Sequence, residues 1–131
     1  MEDTINILVV DDEQPILDFF KRLLTMKGFG ARTAISGKEA LESVANDNIH
    51  VMIIDIFMPE MDGFELLDKV KKKYPGIAVI MMTGTSDSKM IRKAMLHGAD
   101  EYITKPFKRE ELSLVIERAI WKIMPIGPLV E

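Results

Sequence analysis

The stretch Ile49-His50-Val51-Met52-Ile53-Ile54-Asp55 decides the fold. Apart from His50 it is apolar from Ile49 to Ile54, and it stops at a carboxylate. A strand with one wet face alternates apolar and polar side chains, whereas a strand buried on both faces reads as a nearly continuous apolar run, as in a parallel sheet covered by helices on both sides. The flanking sequence keeps to that scheme. Upstream, Ile5 to Val10 is a strand ending at Asp11-Asp12, and Ile16, Phe19, Phe20, Leu23 and Leu24 then recur at helical intervals, with Pro15 in the first turn and Gly28 past the end. Gly30 to Ala34 is a second strand. Ser36 with Glu39 three residues on opens a helix carrying Ala40, Leu41, Val44 and Ala45.

Downstream, a turn with Pro59 and Gly63 leads to a helix that faces inward through Leu66, Leu67 and Val70. Its Lys69, Lys71, Lys72 and Lys73 read as a solvated face, and Pro75-Gly76 break it. Ile77 to Met82 is a fourth strand and 83–87 a loop. A helix with Met90, Ile91, Ala94 and Met95 follows and closes at Gly98; Glu101 to Thr104 is a fifth strand. The last helix carries Leu112, Val115, Ile116, Ala119 and Ile120 on one side and ends before Pro125. Five strands alternating with five helices predict a doubly wound α/β sandwich, in which right-handed crossovers bring the strand C-terminal ends to one edge, where ligands bind.

Size and composition agree. A chain of 131 residues with 47% hydrophobic side chains holds one domain, assigned to 1–124, and 125–131 reads as a C-terminal tail or the start of a linker. The net charge of −4 disfavours direct nucleic-acid or anionic-membrane binding. The absence of cysteine removes thiolate chemistry and fits a reducing compartment. With no apolar run near the ~20 residues that span a bilayer and no signal-like N-terminus, a cytoplasmic location is expected.

The polar residues just after the strands form one group: Asp11 and Asp12 after the first, Asp55 after the third, Thr83 after the fourth and Lys105 after the fifth. Three carboxylates in one cleft repel one another by as much as ~4 kcal/mol per pair at 4 Å and an effective dielectric near 20. Lys105 compensates one charge, and an all-oxygen donor set favours a hard divalent ion such as Mg²⁺. A carboxylate beside a metal, a lysine and a hydroxyl has the parts for covalent phosphoryl transfer.

In this order the tandem Asp11-Asp12, the stretch Asp55-Ile56-Phe57-Met58-Pro59-Glu60-Met61-Asp62-Gly63, Thr83-Gly84, and Tyr102 before Lys105-Pro106-Phe107 resemble the receiver domains of two-component response regulators over nearly the whole chain. The resemblance implies a flavodoxin-like (βα)5 fold with strand order 2-1-3-4-5. It implies Asp55 as the phosphoacceptor for a histidine kinase or phosphotransfer protein, and Mg²⁺ held by Asp11, Asp12, Asp55 and the backbone carbonyl of Phe57. Lys105 and Thr83 would contact the phosphoryl group, Thr83 and Tyr102 would be the switch pair, and Pro106 would follow a cis peptide. The fourth helix, fifth strand and fifth helix would relay the change to an output domain or partner, or to a second copy in a homodimer. Such a domain promotes its own modification and is not a multiple-turnover enzyme. Phe57, two residues past the acceptor, would shield the phosphoryl group from water.

Each residue has a plainer explanation. Asp11 and Asp12 suit a helix N-terminus, and Asp62-Gly63 is a common turn signal. Thr83 alone is a loop hydroxyl, Tyr102 half-buried packing and Lys105 a surface lysine; their joint placement favours function. His50 and His97 lie apart and form no ligand pair. Leu114 and Trp121 on the last helix are either a partner surface or cover for their own domain's edge, and the ten methionines read as adaptable core packing. Two rival functions remain. A Mg²⁺-dependent phosphohydrolase of the haloacid-dehalogenase type would share the chemistry but carries Asp-x-Asp after its first strand and an inserted cap. A purely structural receiver-like module would not need Asp12, Asp55 and Lys105 together.

Overall fold

The computed structural model describes residues 4–84 and 87–124. The tail expected at 125–131 lies outside them. Five strands, β1 (Asn6–Val10), β2 (Gly30–Ala34), β3 (Val51–Asp55), β4 (Ala78–Thr83) and β5 (Glu101–Thr104), alternate with five helices. The helices are α1 (Gln14–Met26), α2 (Gly37–Asn46), α3 (Gly63–Lys73), α4 (Ser88–Leu96) and α5 (Arg109–Ile123). All strand pairs are parallel, in the order β2-β1-β3-β4-β5. This is the expected doubly wound, flavodoxin-like arrangement.

The side-chain period of two explains the apolar runs. Leu8, Val10, Met52, Ile54, Val79 and Met81 point to one face, where α2, α3 and α4 cover them with Ala40, Val44, Phe64, Leu66, Leu67, Val70 and Ala94. Their neighbours Ile7, Val9, Val51, Ile53, Ala78, Ile80 and Met82 point to the other, against α1 and α5. Every residue of β3 and β4 is buried, so these strands have no wet face on which to place a polar residue until the sheet edge is reached at Asp55 and Thr83.

Local boundaries follow backbone hydrogen bonding. β3 begins at Val51 rather than Ile49, because the Ile49 N–H closes a turn on the Asp47 carbonyl at 3.1 Å. Thr83 ends β4 instead of starting a loop, in register with Thr104. The Ser36 hydroxyl caps α2 by accepting from the Glu39 N–H at 3.1 Å, and Glu39 accepts in return from Ile35.

Four expectations about faces need correction. Phe19 is 40% exposed; it sits one helical step from Phe20, at the margin of α1, and meets that ring edge-on at 5.5 Å. Ala45 is exposed at the end of α2. In α4 only Ala94 is buried, Met90 and Ile91 are partly covered, and Met95 is 44% exposed, because the short edge strand β5 offers this helix little sheet to cover. Lys71 is no solvated lysine: its ammonium donates to the Ile77 carbonyl and to Asp100, both at 2.7 Å, and Asp100 also accepts from the Val79 N–H.

Magnitudes separate the helices. A fully buried Leu or Phe stabilises by about 1.5–3 kcal/mol and a single methyl by about 0.8. α1, with Leu17, Phe20, Leu23 and Leu24 buried, is held several-fold more firmly than α4 with Ala94.

Candidate functional site

Each strand that reaches the C-terminal edge of the sheet delivers its next polar residue there. Asp11 and Asp12 follow β1, Asp55 and Thr83 end β3 and β4, and Lys105 follows β5. Asp11, Asp12 and Asp55 each offer one carboxylate oxygen, and these oxygens lie within 4.8 Å of one another. Asp11 is wholly buried, Asp55 nearly so, and Asp12 exposed. Lys105 reaches across, its ammonium 3.4 Å from Asp11 and 3.9 Å from Asp55.

Asp11 does not cap α1 in the usual way. The N-cap position is Glu13, whose side chain makes no capping bond, while the Asp11 carboxylate accepts from the Glu13 N–H at 2.9 Å. One Asp11 oxygen is thereby held to the backbone and the other faces Lys105. Burial and then the Asp11 carboxylate push the Asp55 carboxyl up from 3.8 to about 6, with Asp12 adding to the rise. Lys105 and a backbone hydrogen bond from Phe57 act in the opposite direction and do not cancel it. The cluster therefore holds more negative charge than one ammonium balances.

Thr83 is fully buried, and its hydroxyl is the one buried side-chain polar atom among the described residues with no hydrogen-bond partner. Its carbonyl accepts from the Lys105 N–H at 2.7 Å, tying the ends of β4 and β5 together. The Lys105–Pro106 peptide is cis. Tyr102 is half-buried beside the α4 side of the sheet, and burial followed by the Asp87 carboxylate pushes its phenol up. The Phe57 side chain is 59% exposed. His50 and His97 stand away from this edge: His50 Nδ1 accepts from the Asn6 N–H and His97 pairs with Asp68.

Sequence reasoning missed what the 56–63 loop does. Asp62 caps α3, its carboxylate accepting from the Glu65 N–H at 2.9 Å. Gly63 packs under Asp55 itself: a β-carbon there would lie 2.6 Å from the Asp55 carbonyl oxygen and 2.7 Å from Ile56 Cα. The Gly63 N–H also donates to the Ile56 carbonyl at 2.8 Å. Glu60 has φ 66, a left-handed conformation uncommon for a side chain other than Asn, Asp or Gly. Asp62-Gly63 marked a turn; only the packing reveals the close approach.

The response regulator receiver domain family matches residues 7–117. This chain belongs to that family. The receiver domain is 35% identical over 118 residues to the response regulator SaeR of Staphylococcus aureus, covering 90% of this chain and 51% of SaeR; it thus spans about half the length of the curated relatives it matches. Solved structures agree in fold. A CheY-like receiver domain protein from Methanospirillum hungatei JF-1 superposes with a TM-score of 0.87 at 33% identity, covering 92% of this chain and 97% of that one. A receiver domain protein from Clostridium thermocellum gives 0.84 at 40% identity, over 90% and 95%. Receiver domains are signalling switches of two-component systems, and this one carries an acidic pocket that could bind a metal. The family match favours a signalling switch over the phosphohydrolase alternative, and among the described residues the longest loop at the acidic edge runs 56–62. No helix of the described residues is long and apolar enough to cross a membrane.

Proposed function

We propose that this receiver domain is a phosphorylation-activated switch whose acceptor is Asp55, supplied by the phosphohistidine of a sensor kinase or phosphotransfer protein. The observation that carries the reading is the convergence of three acids, one ammonium and one unpartnered buried hydroxyl on a single strand edge. In the transfer an Asp55 carboxylate oxygen forms the new P–O bond as the P–N bond of the donor breaks; the electron pair leaves with the imidazole, which takes up a proton. Asp55 must be ionised to attack, and Lys105 favours that form.

The donor set suits a hard dication. Every side chain offers oxygen, and the surplus negative charge that raises the Asp55 carboxyl is what a divalent ion would relieve. Asp11, Asp12 and Asp55 would hold Mg²⁺, with the Phe57 backbone carbonyl as a further ligand. When bound, the ion supplies charge neutralisation for the transferring phosphoryl oxygens.

Thr83 and Lys105 would then receive the phosphoryl oxygens, and the orphaned Thr83 hydroxyl gains the partner it lacks. Because Thr83 ends β4, the strand that precedes α4, and α4 is weakly held, its movement biases α4 and the Tyr102 side chain. The surface formed by α4, β5 and α5 carries the change to an output domain or partner in the cytoplasm, with 1–124 as the domain unit and Leu114 and Trp121, both exposed on α5, as part of that surface or of a homodimer contact.

The test is intact-mass measurement after incubation with Mg²⁺ and acetyl phosphate. A single phosphoryl addition on the wild type, absent in Asp55→Asn, is expected. Continuous release of phosphate from varied esters would support an enzyme, and no reaction a structural module.

A further inference from the structure

We propose that the hollow between α2 and α3 binds a small, multiply phosphorylated molecule with an aromatic ring, of the nucleotide class, its phosphates on Lys69, Lys72 and Lys73 and its ring against Leu41, Ala45 and Tyr74. These six residues line an open hollow of about 360 Å³, within the range that small ligands occupy. It lies away from the acidic edge. α3 begins at Gly63 against the Asp55 backbone, and the lysines stand in its second half, toward the N-terminal ends of the strands.

Charge is the first observation. Lys69, Lys72 and Lys73 are exposed, and none makes an ion pair among the described residues. Acids stand at pairing distance along the chain, since Glu65 and Asp68 precede Lys69 and Lys72 by four residues, the spacing at which such pairs form on a helix. Among the described residues Glu65 pairs with no lysine, and Asp68 is taken by His97 at 2.8 Å. The acids on the α2 side are engaged elsewhere: Glu39 accepts from the Ile35 N–H and Asp47 from the Ser43 hydroxyl. Attraction to the helix C-terminus accounts for lysines at 72 and 73, in the last turn. It accounts neither for Lys69 nor for a facing wall of Leu41 and Ala45.

That wall supplies the rest of the fit. Leu41 is partly buried against the core, Ala45 is exposed, and Tyr74 is partly buried at the end of α3. The Lys73 ammonium lies 5.7 Å from the Tyr74 ring centroid, so cation and ring stand side by side. A ligand with anionic oxygens on the ammoniums therefore brings its remainder over an apolar surface, which favours a flat ring over a bare anion. The cations are lysines rather than arginines. Ammoniums on flexible stems act as point charges and suit phosphates, whereas planar carboxylates are matched by the arginine fork. The net charge of −4 opposes a long polyanion, but a small one sits within a Debye length of the lysines, about 8 Å.

The site does not rest on phosphorylation of Asp55, and its test uses neither phosphodonor nor metal. The full chain in EDTA, where no metal bridges an anion to the acidic edge, is titrated with ATP, tripolyphosphate and adenosine by isothermal calorimetry. ATP is expected to bind, tripolyphosphate to bind about tenfold more weakly, and adenosine not to bind. Lys69→Gln with Lys72→Gln and Lys73→Gln is expected to weaken ATP binding about tenfold or more. Ala45→Glu, which sets a carboxylate in the exposed wall, is expected to do the same, and Lys89→Gln with Arg92→Gln on α4 to leave it unchanged. All of these positions are exposed, so urea midpoints are expected to stay near that of the wild type.

A glutamate-rich peptide of the same charge as ATP and vesicles of anionic phospholipid test the other occupants. ATP binding that falls with the α2 and α3 changes alone supports the proposal. Absence of ATP binding at millimolar concentration, tripolyphosphate binding as tightly as ATP, no loss in the triple lysine variant, an equal loss in the α4 control, or tighter capture of the peptide or the vesicles through the same lysines would each overturn it.

Discussion

Gly63 lies so close beneath Asp55 that a β-carbon on it would come within 2.6 Å of the Asp55 carbonyl oxygen. The obstacle is backbone, which cannot swing aside like a flexible side chain. Gly63→Ala is therefore expected to destabilise the domain by about 2 kcal/mol and to displace the end of β3 that carries Asp55. Urea unfolding measures the first effect, and the rate of phosphoryl addition from acetyl phosphate, expected to fall, measures the second.

The Asp55 carboxyl stands at about 6 in the folded protein against 3.8 when unperturbed, so the folded state favours its protonated form. The contribution to stability from this group is complete below 3.8 and is lost as pH rises through about 6. Without metal, Asp55→Asn should consequently stabilise the domain at pH 7.5, on the order of 1–3 kcal/mol, with the gain shrinking toward pH 4. Thermal melts of both proteins across that range check it; a gain that grows on acidification would contradict the sign. Mg²⁺ binding should weaken over the same window, because protons compete for the ligand oxygens.

Thr83→Val removes the buried hydroxyl that has no partner while keeping the branched shape. The unmodified domain should gain about 1 kcal/mol in denaturant unfolding. The phosphorylation-dependent changes in α4 amide resonances should at the same time diminish, since the group that would answer the phosphoryl oxygens is gone. A loss of stability would mean that the hydroxyl is satisfied in solution.

Phe57 is 59% exposed two residues past Asp55, the proposed acceptor, where its ring can restrict water without contributing to the core. Replacing it by Asn is expected to shorten the lifetime of phosphorylated Asp55 by about tenfold, equivalent to ~1.4 kcal/mol in the hydrolysis barrier. Decay followed by intact mass reads it directly, and an unchanged half-life would remove the shielding role.

Lys71→Met tests a residue that serves the fold alone. The change strips Asp100 of its ammonium partner and the Ile77 carbonyl of a donor, at the strand N-terminal ends, opposite the acidic edge. A loss of about 1–3 kcal/mol in stability is expected, with phosphoryl addition to Asp55 unaffected under native conditions.

The strands were legible because burial on both faces leaves a strong imprint: β3 and β4 must be apolar throughout, and the first polar residue after each run marks the sheet edge. Where the covered surface is broad, as for α1 and α3, the helix faces were legible apart from Phe19 at the margin of α1 and Lys71 at the end of α3. They were not at α4, whose Met90, Ile91 and Met95 repeat at core-like intervals although little sheet lies beneath them. Periodicity reports which residues share a side, not whether anything covers that side.

The amino-acid order by itself determined the alternation of strands and helices, the parallel sheet, and the family pattern of acids, hydroxyl and lysine, since each rests on local periodicity or on residues at strand ends. Only the tertiary structure decided that Lys71 is bound to Asp100 and the Ile77 carbonyl, that Gly63 packs against the Asp55 backbone, and that the buried Thr83 hydroxyl has no partner among the described residues. The reason is distance. Those facts depend on which chain segments, far apart in sequence, come within a few ångströms of one another, and no local pattern records that.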